Sequence, residues 1–367
     1  MRVREINANA IFLHGRTLFA PTHNNTNRTM PTNSRTGLLK EVIKIKNIIF
    51  TRDEIKRQLQ ARGAEQQELF EHARHVRNTA QGDKLNIRGV IELSNSCSEN
   101  CLYCAMRRDN RLLNRYTLNE EMILAVADQI INAGIPTVFL QSGESVKCGY
   151  LLDSVIPKIY QKYNCSILLC AGKKDSETYR RYKEAGADGY ILKFETANPS
   201  LYEAATGSSH AERLLCIRNI RSSGMKLGTG NIAGLPNQTL DDIVDDIFLA
   251  IELLPDFVSV SPFIPNSGTP YEKNSKGDID LTLNIMAIWR IVFPDALIPT
   301  VSALEYIHPE GQAAGLNAGA NVITVNFTPK ENRDKYAIYA KDRFVVNIDH
   351  AYKTAKQAGM TLNTLKK

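Results

Sequence analysis

An alternation constrains this chain more than any other feature. Eight apolar, β-branched runs of strand length recur at 88–93, 137–141, 166–170, 189–192, 226–232, 257–261, 297–301 and 321–325. Between them lie segments with helical apolar spacing, among them 119–133, 174–185, 210–223, 239–253 and 281–293. Several close on a glycine turn just before the next strand (NAGIP, EAGADG, SSGMK, NAGAN), as helix C-termini commonly do. Strands alternating with helices pair in parallel, so eight such units predict an α/β fold, a (β/α)8 TIM-type barrel, closed or partly open. Chemistry in such a barrel sits at the C-terminal ends of strands, which is where motifs carry weight.

The flanks read differently. Residues 1–35 are rich in Asn, Thr and Arg without apolar periodicity. They are expected to be a flexible leader, with Met30 a second possible start and a transit peptide the other reading of so basic a segment. Residues 36–80 are expected to form an N-terminal helical cap, 81–345 the barrel, and 346–367 a C-terminal helix or tail. The net charge of +6 comes from the first fifty residues, which hold eight Lys/Arg against two acids; the rest balances at 37 against 37. A nucleic-acid footprint is therefore not indicated, and no apolar run is long enough to span a membrane. Seven cysteines, three of them within eight residues, make no disulfide framework. They imply a reducing compartment, cytoplasmic or organellar according to the leader, and a metal or redox role.

Cys97-Ser-Glu-Asn-Cys101-Leu-Tyr-Cys104 follows the first strand with C-x3-C-x2-C spacing. Three thiolates on one loop can hold three irons of a [4Fe-4S] cube and leave the fourth open to bind a substrate. A zinc site would want a fourth ligand nearby, and after His75 no flanking His or Cys within twenty residues supplies one.

The triad resembles that of radical S-adenosylmethionine (SAM) enzymes, and further motifs agree at successive strand ends. Tyr103 matches the aromatic residue beside the SAM adenine. Gln141-Ser142-Gly143-Glu144 resembles the motif that holds the SAM amino group, and Glu195 with Arg213 the pair for its ribose and carboxylate. Gly230-Asn-Ile232-Ala-Gly234 resembles the GxIxG segment bordering adenine. The resemblance implies that Cys97, Cys101 and Cys104 hold the cluster. Its open iron then binds SAM, and one electron from a ferredoxin- or flavodoxin-type donor cleaves it to a 5′-deoxyadenosyl radical.

Over residues 55–345 the chain is most similar to the branch containing the [FeFe]-hydrogenase maturase HydE, methylornithine synthase and biotin synthase. Arg88–Asn95, the LYC…RRDN run to Asn110, and Arg115-Tyr116 carry that likeness. Glu195–Pro199, Gly234–Thr239, Pro262–Pro265 and Gly319–Val322 resemble HydE most. That implies a small-molecule or organometallic substrate in the barrel and partnership with other hydrogenase maturases. Cys148, Cys165, Cys170 and Cys216 are too scattered for the second cluster of biotin synthase, and no cysteine follows Cys216.

Some positions depart from the HydE pattern. Leu168 and Cys170 stand where small hydroxyl residues are usual, Lys193 where an arginine is expected, and Thr300-Val-Ser302-Ala-Leu-Glu305 replaces a Thr-Thr-Ala-Met-Gly-type run. These, with Arg88 at the start of the first strand, are the expected substrate-cavity residues; Arg88 is read either as the family's substrate anchor or as half of a structural ion pair. An inward Glu305 would repel an anionic substrate, so a paralogue with a different substrate is one expectation. Cys170 reads as a small buried apolar group or as a thiol facing the radical, and His308 and His350 read as structural. The alternatives are carbon-skeleton rearrangement as in methylornithine synthase, sulfur insertion as in biotin or lipoyl synthesis, and a non-catalytic Fe–S scaffold.

Overall fold

The computed structural model describes residues 48–340 and 342–364 together with 4–5 and 42–45, and it divides into units 1–57 and 58–367. Apart from Arg4 and Glu5, the leader expected over 1–35 lies outside the described residues. In the first unit Val42–Ile45 and Ile48–Thr51 form an antiparallel hairpin, with Arg4–Glu5 parallel to its first strand. Among the described residues, the cap expected to be helical over 36–80 is helical from Arg52 on. The described stretches before it, VIKI and IIFT, are strands, in keeping with the strand preference of their β-branched residues.

The second unit is the barrel. Its strands are β1 (Lys84–Ser94), β2 (Thr137–Ser142), β3 (Ser166–Cys170), β4 (Gly189–Ile191), β5 (Lys226–Ala233), β6 (Phe257–Pro262) and β7 (Val322–Asn326), each of β1 to β5 pairing in parallel with the next and β7 pairing back to β1. The run expected as a strand at 297–301 makes only two isolated bridges, Phe257↔Leu297 and Pro299↔Val322. Pro299 has no N–H to give a ladder, yet Val258 N donates to Leu297 O (3.1 Å) and Thr300 N to Val322 O (2.9 Å). That segment thus closes the ring as a short stave. The C-terminal tail is a helix (Ile348–Gln357) and a further strand, β8 (Thr361–Asn363), on the early part of β1.

The strand period decides which side chains look inward. Val90, Phe139 and Leu168 lie directly opposite one another on β1, β2 and β3 and form an apolar layer across the barrel. Two residues further along each strand, Glu92, Gln141 and Cys170 form the next inward layer. At the opposite end the helix Gly63–Gln81 packs on Ile279–Val292, where Gln66 Nε2 donates to Asn284 Oδ1 (2.9 Å) and Asn284 Nδ2 to the carbonyls of Leu59 and Ala61 (3.0 Å each). Among the described residues no helix is long and apolar enough to cross a membrane.

Candidate active site

The cysteine loop leaves β1 and is held in place before any cofactor binds. Arg115 spreads its guanidinium over four backbone carbonyls, those of Asn95 (2.7 Å), Met106 (2.7 Å), Arg107 (2.6 Å) and Asn110 (3.1 Å). Ser98 N donates to Glu144 O (2.7 Å) and Gly143 N to Ser94 O (3.0 Å), which ties the loop to the end of β2. Gly143 must lack a side chain, because a Cβ there would lie 2.4 Å from Ser96 O and 3.0 Å from Cys97 Cβ. Arg115→Ala removes four hydrogen bonds to a charged donor, each worth more than a neutral one. It should take up less than half the iron of the wild type under equal anaerobic reconstitution. Arg115→Lys should fall between, since an ammonium cannot fork across four acceptors. Equal iron content in all three would show that the loop does not depend on this clamp.

Cys97, Cys101 and Cys104 line one wall of a cavity of about 1080 Å³, with Tyr103, Ser142, Gly143, Glu144, Glu195, Arg213, Ile232, Cys170 and Lys193 around it. All seven cysteines are free thiols. Burial pushes the three loop thiols up, Cys104 to about 12, and Cys101 and Cys104 are raised further by each other's charge or by that of Cys97. Three such thiolates are tolerated together only beside strong positive charge. Among the described residues no three His, Cys, Asp or Glu side chains converge on a point as a single ion would need. Thiols lining one wall without converging suit a polynuclear cluster with one thiolate per iron, so the donor set fits the iron–sulfur group.

On the opposite wall Glu195 leaves β4 with φ of 65°, a left-handed conformation that costs a non-glycine residue about 1–3 kcal/mol. It is held there by β5, its N–H donating to Gly230 O (3.0 Å) and its carbonyl accepting from Ile232 N (2.8 Å). Lys193 Nζ lies 3.2 Å from Glu195 Oε2. Arg213 Nε donates to Tyr202 Oη (2.8 Å); burial disfavours its charge, but Tyr202 and Glu195 outweigh that and keep it protonated. Tyr103 packs on the cluster of Leu201, Ile232, Leu235 and Phe263. Glu144 Oε2 accepts from Lys173 N (2.7 Å), and burial pushes this carboxyl up. Gly230 and Gly234 do not line the cavity; they let β5 pass close to its neighbours, Gly234 (φ 85°) lying where a Cβ would be 2.8 Å from Gly277 Cα.

Behind Glu195 lies a carboxylate that sequence reasoning missed. Asp246, fully buried, accepts from Ala197 N (2.5 Å) through Oδ1, and from Asn231 Nδ2 (2.7 Å) and Gln238 Nε2 (3.3 Å) through Oδ2. Gln238 in turn donates to Ile232 O (3.0 Å) and accepts from Gly234 N (2.7 Å). Burial pushes the Asp246 carboxyl up to about 7 while its donors pull the other way. Its signal in the sequence was an acid sharing the apolar face of Leu240–Leu253 with Ile243, Ile247 and Ala250.

Deeper in the barrel a second chamber of about 800 Å³ shares Gln141, Cys170, Ile191 and Ser261 with the first cavity. Of the expected substrate residues, Arg88, Cys170, Thr300 and Ser302 line it. Leu168 does not: it is 2 % exposed in the apolar layer beneath Cys170, because one step of two along β3 separates them. Lys193 belongs to the upper cavity. Arg88 is held by Nε donating to Thr324 Oγ1 (2.7 Å) and by the Phe139 ring 4.7 Å away, and burial lowers its pKa to about 10. Glu305 accepts from the N–H groups of Glu310 (3.2 Å) and Gln312 (3.0 Å), so it caps a helix and does not line the chamber. The expected repulsion of an anion by Glu305 is thereby removed. His350 bonds Gln312 Oε1 (2.8 Å) and His308 is exposed. Ile338 and Tyr339 of a C-terminal strap line both spaces, Tyr336 lines the first alone, and Arg343 pins the strap to Glu92 at 2.7 Å, with side chains 8 % and 3 % exposed.

Comparison with known proteins gives the family. The model of the radical SAM superfamily matches residues 91–250. The [FeFe] hydrogenase maturase subunit HydE of Thermotoga maritima is 40 % identical over 296 residues, 79 % of this chain and 84 % of that protein. This chain belongs to the HydE family of radical SAM enzymes. The family's cofactors are a [4Fe-4S] cluster and SAM, for which the thiol wall and the cavity beside it are suited. A 3-methylornithine synthase of Methanosarcina acetivorans is 29 % identical over 282 residues, 76 % of this chain and 79 % of that protein. The crystal structure of methylornithine synthase superposes with a TM-score of 0.76 at 23 % identity, covering 86 % of this chain and 94 % of that one, so the barrel architecture is shared.

Proposed function

We propose that this HydE-family enzyme acts in [FeFe]-hydrogenase maturation, on a small-molecule or organometallic substrate held in the inner chamber, alongside other maturases. The observation that carries this is the adjoining of two spaces: a thiol-lined cavity fitted for cluster and SAM lies beside an inner chamber, the two sharing Gln141, Cys170 and Ser261 in their lining. Cys97, Cys101 and Cys104 would hold the cluster. Ser142, Gly143 and Glu144 would take the amino-acid end of SAM, Glu195 and Arg213 its ribose and carboxylate, and Tyr103 with Ile232 its adenine. When bound, cluster and SAM together supply a 5′-deoxyadenosyl radical to the chamber side. These residues would hold SAM in the first cavity, and Ile338, Tyr339, Arg343 and Phe344, which line the chamber, would limit the access of water and reductant. Arg88 anchors the substrate from below, and Cys170, in place of a hydroxyl, tunes which substrate fits.

Anaerobic reconstitution with iron and sulfide, then dithionite and SAM, should yield 5′-deoxyadenosine by chromatography, and Cys101→Ala should yield none. A fully loaded wild-type cluster that makes none, with candidate substrates present, would overturn the enzyme reading in favour of a scaffold. Methylornithine formed from lysine would move the assignment to the neighbouring branch.

A further inference from the structure

The cluster thiols line the wall of an interior cavity and are half-buried, so a protein that supplies single electrons must deliver them from the surface. We propose that residues 105–116, the loop immediately after Cys104, are the docking surface for an acidic one-electron carrier protein. The proposal rests on the reading of Cys97, Cys101 and Cys104 as cluster ligands. Leu112 is 90 % exposed, the most exposed large apolar side chain among the described residues. It sits within a strongly basic stretch: Arg107, Arg108, Arg111 and Arg115 stand against Asp109 alone. Arg108 is 63 % exposed and shares Asp109 with Arg107 (3.3 and 3.9 Å), which leaves the loop with surplus positive charge.

An exposed leucine usually marks a mobile tip, but this loop is built. Arg115 grips it through four carbonyls, Asn110 Nδ2 donates to Ala105 O (2.7 Å), Arg108 N to Glu99 O (2.8 Å), and Leu112 N to Asn110 Oδ1 (3.2 Å). A preformed apolar anchor with the exposed Arg108 and Arg111 in the same loop pays little ordering entropy on docking and steers a partner of opposite sign. Beside Leu112 a hollow of about 820 Å³, bordered by Asn114 and Lys335, offers room for a protruding partner side chain. The route inward is short, since Arg107 N bonds Cys104 O (3.0 Å) and only the buried Ala105 and Met106 lie between. A nucleic acid is disfavoured because residues 51–367, this loop included, carry no net charge. The transfer is one electron from the reduced carrier to the cluster, with no atom or proton exchanged.

The test uses the full-length reconstituted enzyme and two reductants, dithionite and an acidic flavodoxin kept reduced by its reductase. The variants are R108E/R111E, L112D and, on a remote helix, R180E. With flavodoxin, KM should rise about tenfold or more for the first two and stay at the wild-type value for R180E, and the wild type's salt dependence should flatten in R108E/R111E. With dithionite all four proteins should make 5′-deoxyadenosine equally. Calorimetry with oxidised flavodoxin should show the same loss of affinity, and it reads the surface even if SAM cleavage fails. Wild-type KM and affinity in both loop variants would overturn the proposal. So would an equal loss with dithionite, which would mean that the loop acts on the cluster itself.

Discussion

Gly230→Ala should leave little or no folded, cluster-loaded protein. An alanine Cβ at this position would lie 1.8 Å from Ser259 O and 2.8 Å from Ser259 C, inside the backbone of β6. Backbone cannot swing aside as a flexible side chain does, so β5 and β6 would have to part along the register that pairs Gly230 with Ser259. The φ of 151° adds strain for any residue with a Cβ. Overpacking of this kind costs about 1–3 kcal/mol where side chains can move and more where they cannot, against a total stability of about 5–15 kcal/mol. Gly207→Ala is the comparison: φ is 70° but nothing lies within 4 Å of the new Cβ, so only the left-handed backbone cost of about 1–2 kcal/mol remains. Thermal unfolding and iron content check both. A Gly230→Ala protein that melts with the Gly207→Ala protein and loads a full cluster would show that the sheet yields where the geometry says it cannot.

The second large effect concerns Asp246, which never reaches the cavity. Its carboxylate is the common acceptor for Ala197 N–H, Asn231 Nδ2 and Gln238 Nε2, three donors from the two segments flanking the strained Glu195. Asp246→Leu leaves those donors buried without a partner, at about 1–3 kcal/mol each. Glu195 is free to relax from its φ of 65° once Ala197 is released. We expect SAM affinity to fall at least tenfold while cluster content, set by a loop on the other wall, stays near wild type. Asp246→Asn keeps one acceptor oxygen and should lose less. Titration calorimetry with SAM on the reconstituted protein, beside iron analysis, separates the two quantities. Unchanged SAM affinity in Asp246→Leu would mean that Glu195 holds its conformation through β5 alone.

What the sequence determined by itself is local or periodic. Alternating strand and helix patterns specify a parallel barrel because each pattern is written within a dozen residues, and the thiol triad is legible because its ligands share one loop. Glu144, Glu195 and Ile232 were picked out by their resemblance to the SAM-binding motifs of radical SAM enzymes, at strand ends where such a barrel keeps its chemistry. Tertiary structure decided the rest, where an outcome depends on residues far apart in the chain. Register placed Cys170 in the wall between the two cavities and Leu168 in the layer beneath it, two residues that composition alone treats alike. Glu305 was turned away from the chamber by two backbone N–H groups, and Pro299 reduced an expected strand to two bridges. Asp246 was drawn inside by three donors from two other segments, and Arg343 found Glu92 across 251 positions of sequence. A buried polar group is stable only where its partners are, and those partners are set by the whole fold.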